Sequence, residues 1–292
     1  MIKQLYYYYW LIRSKKLRKH FPKYNIMSIN ETIDEIVTHK KSISRFGDGE
    51  FRLIIKERDI VFQNLSDEIA DRLNEVLNSK LENHLVAIPS SFVSVKELKR
   101  DAKIHWLHFI NSYGDIVARS IVDKKYVFGD AFISRFYIDY IRKKNSVNVV
   151  NQLKKIWNNQ HILIVEGEYS RLGVGNDLFN NALSIERIIC PSKDAYSKYE
   201  EIVELSQKYG KDKLILIALG PTATVLAYDL AKSNFWAIDI GHVDVEYMWM
   251  LQKAKTKQAI KGRFVAEAAS NDDFVLSSSD MDFYVNTIIH RV

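Results

Sequence analysis

Short apolar runs alternate with longer stretches of helical spacing through the second half of the chain. His161 to Val165, Ile185 to Ile189, Lys213 to Leu219 and Trp236 to Ile240 read as buried strands. Between them lie a glycine-bearing loop with a helix near Asp177 to Leu183, a helix from about Lys193 to Tyr209, and one entered through Gly220-Pro221 and running to Lys232. The first half is less regular. Ser28 or Asn30 caps a short helix through Lys40, Ser42 to Phe46 reads as a strand, and Ser66 to Leu81 is helical with Ile69, Leu73, Val76 and Leu77 on one face. Leu85 to Ile88 is a further short buried strand, and residues 95–160 read as mostly helical and rich in aromatics such as Trp106, Phe109, Phe136 and Trp157. Strand and helix in alternation predict an α/β fold: a mostly parallel sheet with right-handed crossovers, flanked by helices and carrying a helical, aromatic-rich insertion.

Composition adds limits. The 292 residues are 47% hydrophobic and 27% charged, which is ordinary for a globular chain. The single cysteine, Cys190, ends an apolar run, so it reads as a buried small side chain and fits a reducing compartment such as the cytoplasm. The net charge of +6 is concentrated at one end. Residues 1–25 hold Lys3, Arg13, Lys15, Lys16, Arg18, Lys19 and Lys23 without an acid, while the other residues are close to neutral. A general nucleic-acid-binding surface is therefore not expected. Segment 1–25 also holds Tyr6 to Tyr9 and Trp10, on an uncharged run too short to span a bilayer and poorly suited to a signal peptide. It fits equally the inner face of an anionic membrane, a partner protein, or a first helix packed on a single domain formed by residues 26–292.

Candidate chemistry sits where strands end. Arg45-Phe46-Gly47-Asp48-Gly49-Glu50 places two carboxylates two residues apart, on one side if the backbone is extended, with Gly47 and Gly49 permitting close approach. Asp48 and Glu50 in this setting suit a hard divalent cation that also holds a diphosphate. A polar turn is the alternative. After the strand at 161–165, Arg171, Gly173, Gly175, Asn176 and Asp177 form a loop in which Arg171 could meet a phosphate and Asn176 or Asp177 a ligand hydroxyl, or simply cap a helix. Gly220, Thr222 and Thr224 at a helix start form a phosphate seat. His242, Asp244 and Glu246, if extended, share one face, which suggests His242 as a metal ligand and Asp244 or Glu246 as a general base. If that segment is helical the three diverge.

These stretches, RFGDGE (45–50), VEGEYSRLGVGNDLF (165–179), RIICPSKDAY (187–196), LILIALGPTATVLAYDL (214–230) and AIDIGHVDVEY (237–247), resemble the GT-D-fold glycosyltransferases of bacterial adhesin and surface-glycan synthesis. The resemblance implies a Rossmann-like domain, a nucleotide-sugar donor such as UDP-glucose, a glycan or glycoprotein acceptor, and a divalent cation, manganese or magnesium. It places the metal and UDP motif on Asp48 and Glu50, the glycine-Asn-Asp loop on Gly173, Gly175, Asn176 and Asp177, and the Gly-His-x-Asp segment on Gly241, His242 and Asp244. Met248 stands where an acid would be expected after Tyr247. The expected reaction is metal-dependent transfer of a hexose from a UDP-sugar to a hydroxyl. A metal-dependent phosphohydrolase or nucleotidyltransferase, and a non-catalytic nucleotide-sugar-binding subunit, are the alternatives.

Overall fold

The computed structural model describes residues 2–268 and 274–292. In chain order the elements are α1 (Ile2–His20), β1 (Asn25–Ile26), α2 (Ile29–His39), β2 (Ser42–Arg45), α3 (Asp48–Ile54), α4 (Asp67–Leu77), β3 (His84–Ile88), α5 (Arg100–Ser120), β4 (Val127–Asp130), α6 (Ser146–Trp157), β5 (His161–Gly167), β6 (Ser184–Cys190), α7 (Tyr199–Gly210), β7 (Leu214–Ala218), α8 (Pro221–Lys232), β8 (Trp236–Asp239), α9 (Val243–Leu251), α10 (Ser278–Thr287) and β9 (Ile288–Arg291). The nine strands form one sheet in the order β1-β4-β3-β2-β8-β7-β5-β6-β9, and every neighbouring pair is parallel.

Both faces of the sheet are covered, which is why β5 and β7 carry continuous apolar runs (residues 162–165 and Leu214–Ala218) rather than alternating with polar residues. Leu163, Val165, Ile215 and Ile217 face one core, with Phe51, Phe92, Phe109 and Leu226. Ile162, Ile164, Leu214 and Leu216 face the other, with Ile33, Ile36, Trp157 and Trp249. Strand periodicity thus divides one apolar run between two cores. The helices begin at local signals. Ser28 and Glu31 form a reciprocal capping box on α2, Ser66 accepts from the Ile69 N–H at the start of α4, and Pro221 opens α8.

The aromatic-rich segment carries α5 and α6, and it also contributes β4 to the sheet. Four expectations are corrected. Asp177 to Leu183 forms turns rather than a helix, and the helix expected from Lys193 begins only at Tyr199 after a 3-10 turn over Ala195–Lys198. Asp48 is the first residue of α3, so the acid pair is helical rather than extended. His242 is the N-cap of α9, so Asp244 and Glu246 lie on a helix too. Cys190 is buried, and burial pushes its thiol up to about 12.

His84 illustrates how the core depends on pH. It is buried on β3, with Nε2 2.8 Å from Ser44 Oγ and its ring against Tyr228. Burial pushes its pKa down to about 3. The unfolded chain protonates this ring near pH 6.5, and the folded one does so only near 3, so stability from keeping it neutral is complete above 6.5 and falls as pH drops through that window. On moving from pH 7.5 to pH 5, His84 should account for about 2 kcal/mol of lost stability. Urea unfolding at both pH values should show a smaller loss for His84→Gln than for the native chain; equal losses would contradict this.

Candidate active site

A cavity of about 950 Å³ opens at the carboxyl ends of the central strands. It lies where the strand order reverses, with β2 leading out to β3 and β4 on one side and β8 to β7 and β5 on the other. This is the usual ligand position in an open α/β sheet. Its walls include residues following β2 (Gly47, Asp48), β5 (Tyr169), β7 (Gly220) and β8 (Gly241, His242).

Arg45, Gly47, Asp48, Gly49 and Glu50 all line this cavity. Arg45 is not a free phosphate ligand. Its Nη2 lies 2.7 Å from Asp239 Oδ1, and its Nε donates to the Asp239 carbonyl at 2.7 Å. The chain passes so closely here that a Cβ on Gly241, already at φ +42°, would lie 2.0 Å from the Arg45 guanidinium. Asp48 and Glu50, at i and i+2 of a helix, point in different directions. Asp48 is half-exposed, with Oδ2 3.3 Å from His105 Nε2. Burial opposes its ionisation, but His105, Arg135 and Arg52 outweigh this and hold its carboxyl below the usual range. Glu50 turns back to accept the Gly47 N–H at 2.7 Å, capping α3. Burial, with the Asp239 and Asp48 carboxylates adding to it, pushes Glu50 up to about 7. Asp48 and Asp239 are thus balanced by nearby cations, and Glu50 is the acid whose charge this wall disfavours.

After the neighbouring strand β8, His242 Nε2 lies 2.9 Å from Glu267 Oε2, and Glu267 Oε1 accepts from Arg135 at 2.6 Å. Burial, reinforced by Arg135, lowers the His242 pKa and keeps the imidazole neutral. Glu267 stays ionised: the Arg135 charge and the hydrogen bonds from Arg135 and His242 overcome its burial and hold it below the usual range. The expected common face of His242, Asp244 and Glu246 does not form, because the α9 helix turns the three apart. Asp244 is buried, paired with Arg263 and accepting from Gly173 N–H at 2.8 Å and Asn176 Nδ2 at 2.7 Å. Glu246 accepts the Tyr137 and Ile138 N–H groups at 2.8 and 2.9 Å, its other oxygen has no hydrogen-bond partner among the described residues, and burial raises its carboxyl to about 7. Both acids hold neighbouring backbone in place; Asp244 also lines the cavity, and Glu246 is not among its lining residues.

The glycine loop also has an internal role. Arg171 donates from Nη1 to the Gly262 carbonyl at 2.9 Å and to that of Phe274, so it fastens the loop to the chain beyond α9 rather than meeting a ligand. Gly173 and Gly175 take φ of +73° and +71°, and a Cβ on Gly173 would collide with Phe179 at 2.4 Å. Asn176 caps the turn at Leu178, and Asp177 pairs with Lys154 at 3.0 Å and accepts from Tyr247. None of these five lines the cavity; Tyr169, earlier in the same loop, does. At α8, Gly220 and Pro221 reach the cavity, whereas Thr222 and Thr224 are buried, donating to Gln63 Oε1 and to the Arg45 carbonyl at 3.0 Å each. The seat that remains is the helix terminus itself, without the two hydroxyls.

Several cavity residues were not anticipated. Asp239 had a visible signal, an acid closing the apolar strand Ala237-Ile238-Asp239. Arg135, His105 and Glu267 had none, because they come from segments of irregular or general helical pattern and meet only in the folded chain.

The Glycosyltransferase GT-D fold family model matches residues 43–268, and the chain belongs to this family. It is 36% identical over 283 residues to "Glycosyltransferase GlyD" of Streptococcus pneumoniae serotype 4, covering 97% of this chain and 34% of that protein. It is 38% identical over 254 residues to "Probable glycosyl transferase Gly" of Streptococcus gordonii, covering 85% of this chain and 36% of that one. The chain thus spans about a third of the length of these relatives. A solved structure described as "The highly conserved domain of unknown function 1792 has a distinct glycosyltransferase fold" superposes with a TM-score of 0.86 at 35% identity, covering 97% of this chain and 99% of that one.

Proposed function

We propose that the chain transfers a hexose, with glucose the first candidate, from a UDP-sugar to a hydroxyl of a glycan or glycoprotein acceptor in bacterial surface-glycan synthesis. The observation that carries this reading is the crowding of Asp48, Glu50 and Asp239 carboxylates on one cavity wall, within the same cavity as the N-terminus of α8.

Among the described residues, no three His, Cys, Asp or Glu side chains form a ready-made metal cage. Small divalent cations bound with nucleotides do not need one, since one or two carboxylates plus phosphate oxygens and water suffice. Asp48 and Glu50 fit that role, and a cation there would offset the burial that disfavours the Glu50 carboxylate, along with the smaller repulsion from Asp239 and Asp48. A manganese or magnesium ion held there would supply charge neutralisation for the leaving diphosphate. His242, engaged with Glu267, is better suited to proton transfer than to metal binding. With Nε2–H donating to Glu267, its Nδ1 keeps a lone pair for the acceptor's proton, and the Glu267 carboxylate stabilises the imidazolium that results. The α8 terminus directs positive dipole toward the cavity, where a diphosphate would sit. Tyr169, Phe62 and Phe264 give the cavity aromatic surface for a base or sugar ring.

A panel of UDP-, GDP- and dTDP-sugars tests the donor. A UDP-sugar with manganese should raise the melting temperature, since a ligand that binds only the folded state stabilises it. Sugar should then appear on acceptor, and His242→Asn should lower kcat by about 10²-fold or more without weakening donor binding. Acceptor-independent release of sugar or phosphate would instead indicate a hydrolase. Donor binding without turnover on any acceptor would indicate a binding subunit.

A further inference from the structure

We propose that the outward face of α1 is a docking surface for anionic lipid. α1 lies along α5 and turns Tyr7, Trp10, Leu11 and Ser14 toward the protein, with Trp10 edge-on to the His108 ring at 4.5 Å. These positions follow i, i+3, i+4, i+7 spacing, so the packed side of the helix is already defined. The opposite side repeats the same spacing with Leu5, Tyr8, Tyr9 and Ile12, which are 48–72% exposed. Such a stripe of four large apolar and aromatic side chains on a monomer surface marks an interaction site.

Charge identifies the occupant. Lys15 and Lys19 continue the stripe over the next two turns and are exposed, and residues 1–25 carry seven basic side chains and no acid. A second copy of the chain would set one such segment against another at strong mutual repulsion. A lipid surface meets both halves of the stripe: Tyr and aliphatic side chains sit at the headgroup and acyl boundary, and Lys and Arg meet phosphate. Each basic residue close to an anionic surface adds about 1 kcal/mol, so a few of them raise partitioning by about 10²-fold. No described helix is long and apolar enough to cross a membrane, so the contact is peripheral. α5 supplies both the seat of α1 and, through Ala102, His105 and Trp106, part of the cavity wall.

The full chain should co-sediment with sucrose-loaded vesicles containing one-third phosphatidylglycerol, bind pure phosphatidylcholine vesicles at least about 10-fold more weakly, and be released by 0.5 M salt. The double variant Leu5→Glu/Ile12→Glu should lose at least about 10-fold in vesicle binding, with its melting temperature unchanged. Equal binding to neutral and anionic vesicles, or no binding to either, would overturn the proposal. So would micromolar self-association, measured by light scattering, that the same double variant abolishes.

Discussion

Asp48→Asn is expected to cut sugar transfer by about 10²–10³-fold while leaving the protein folded. Asparagine keeps the size and one acceptor oxygen of the side chain but removes its charge, so the variant isolates electrostatics from shape. The fold should tolerate the change. Asp48 is half-exposed, its contacts to His105 and Arg52 are 3.3 and 3.9 Å, and a pair of this kind contributes no more than about 1 kcal/mol. Its place in the first turn of α3 adds a similar small dipole term. The loss should therefore appear in turnover and in manganese-dependent donor binding, with the unfolding midpoint in urea nearly unchanged. Glu50→Gln is a less clean probe, because Glu50 also caps α3 through the Gly47 N–H. Transfer by Asp48→Asn within a few-fold of the native rate would remove Asp48 from the diphosphate end of the site.

Much of the sheet was legible because most of its inner strands contain short apolar runs separated by helical spacing. β3, β5, β6, β7 and β8 each contain a short apolar run whose length and flanking turn residues favour strand over helix. The edge strands were not legible. β1 has two residues, and β9 reads Ile-Ile-His-Arg with mixed burial, so neither carries a periodic signal. β4 was hidden because Val127-Phe128-Gly129-Asp130 is brief and lies among aromatic helices. The errors at 177–183 and 241–247 share a cause. Both segments border glycines with positive φ, and where such a turn hands over to the next element is decided by contacts distant in sequence: Asp244 with Gly173 and Asn176, and Arg45 beside Gly241.

The candidate site was legible in its locations and less so in its roles. Acids, glycines and helix starts at strand ends led to the edge of the sheet where the cavity opens, since backbone topology fixes where strand ends gather. Which polar side chain faces the cavity depends on its partner, and the partners come from elsewhere. Arg171 and Asp244 have the chemistry of ligand-binding residues, yet the Gly262 and Phe274 carbonyls engage the first and Arg263 the second. His242 gains a defined tautomer only from Glu267, 25 residues later in the chain. A buried polar group must be satisfied, and sequence spacing does not reveal by what.

The second large effect concerns stability. Arg187→Met is expected to destabilise the fold by about 3–5 kcal/mol, on the order of 10 °C in melting temperature for a chain of this length. Arg187 is fully buried on β6 and pairs with fully buried Glu166 on β5. Its Nη2 donates to the Leu172 carbonyl at 2.7 Å and its Nε to Thr287 Oγ1 at 2.9 Å, while Glu166 Oε2 accepts the Leu172 N–H at 2.8 Å. One ion pair therefore closes the root of the 168–177 loop and fastens the end of α10 to it. Methionine fills much of the volume but strands the Glu166 carboxylate in a site where burial already raises its pKa. Removing one partner of such a pair costs more than removing both. Glu166→Leu/Arg187→Met should accordingly be more stable than Arg187→Met alone, though short of the native chain because the Leu172 N–H and carbonyl lose their acceptor and donor. Urea unfolding of the three proteins gives the coupling directly. The same loop carries Tyr169 into the cavity, so donor affinity should fall along with stability in the single variant. An Arg187→Met protein within about 1 kcal/mol of native stability would mean that packing alone holds the loop.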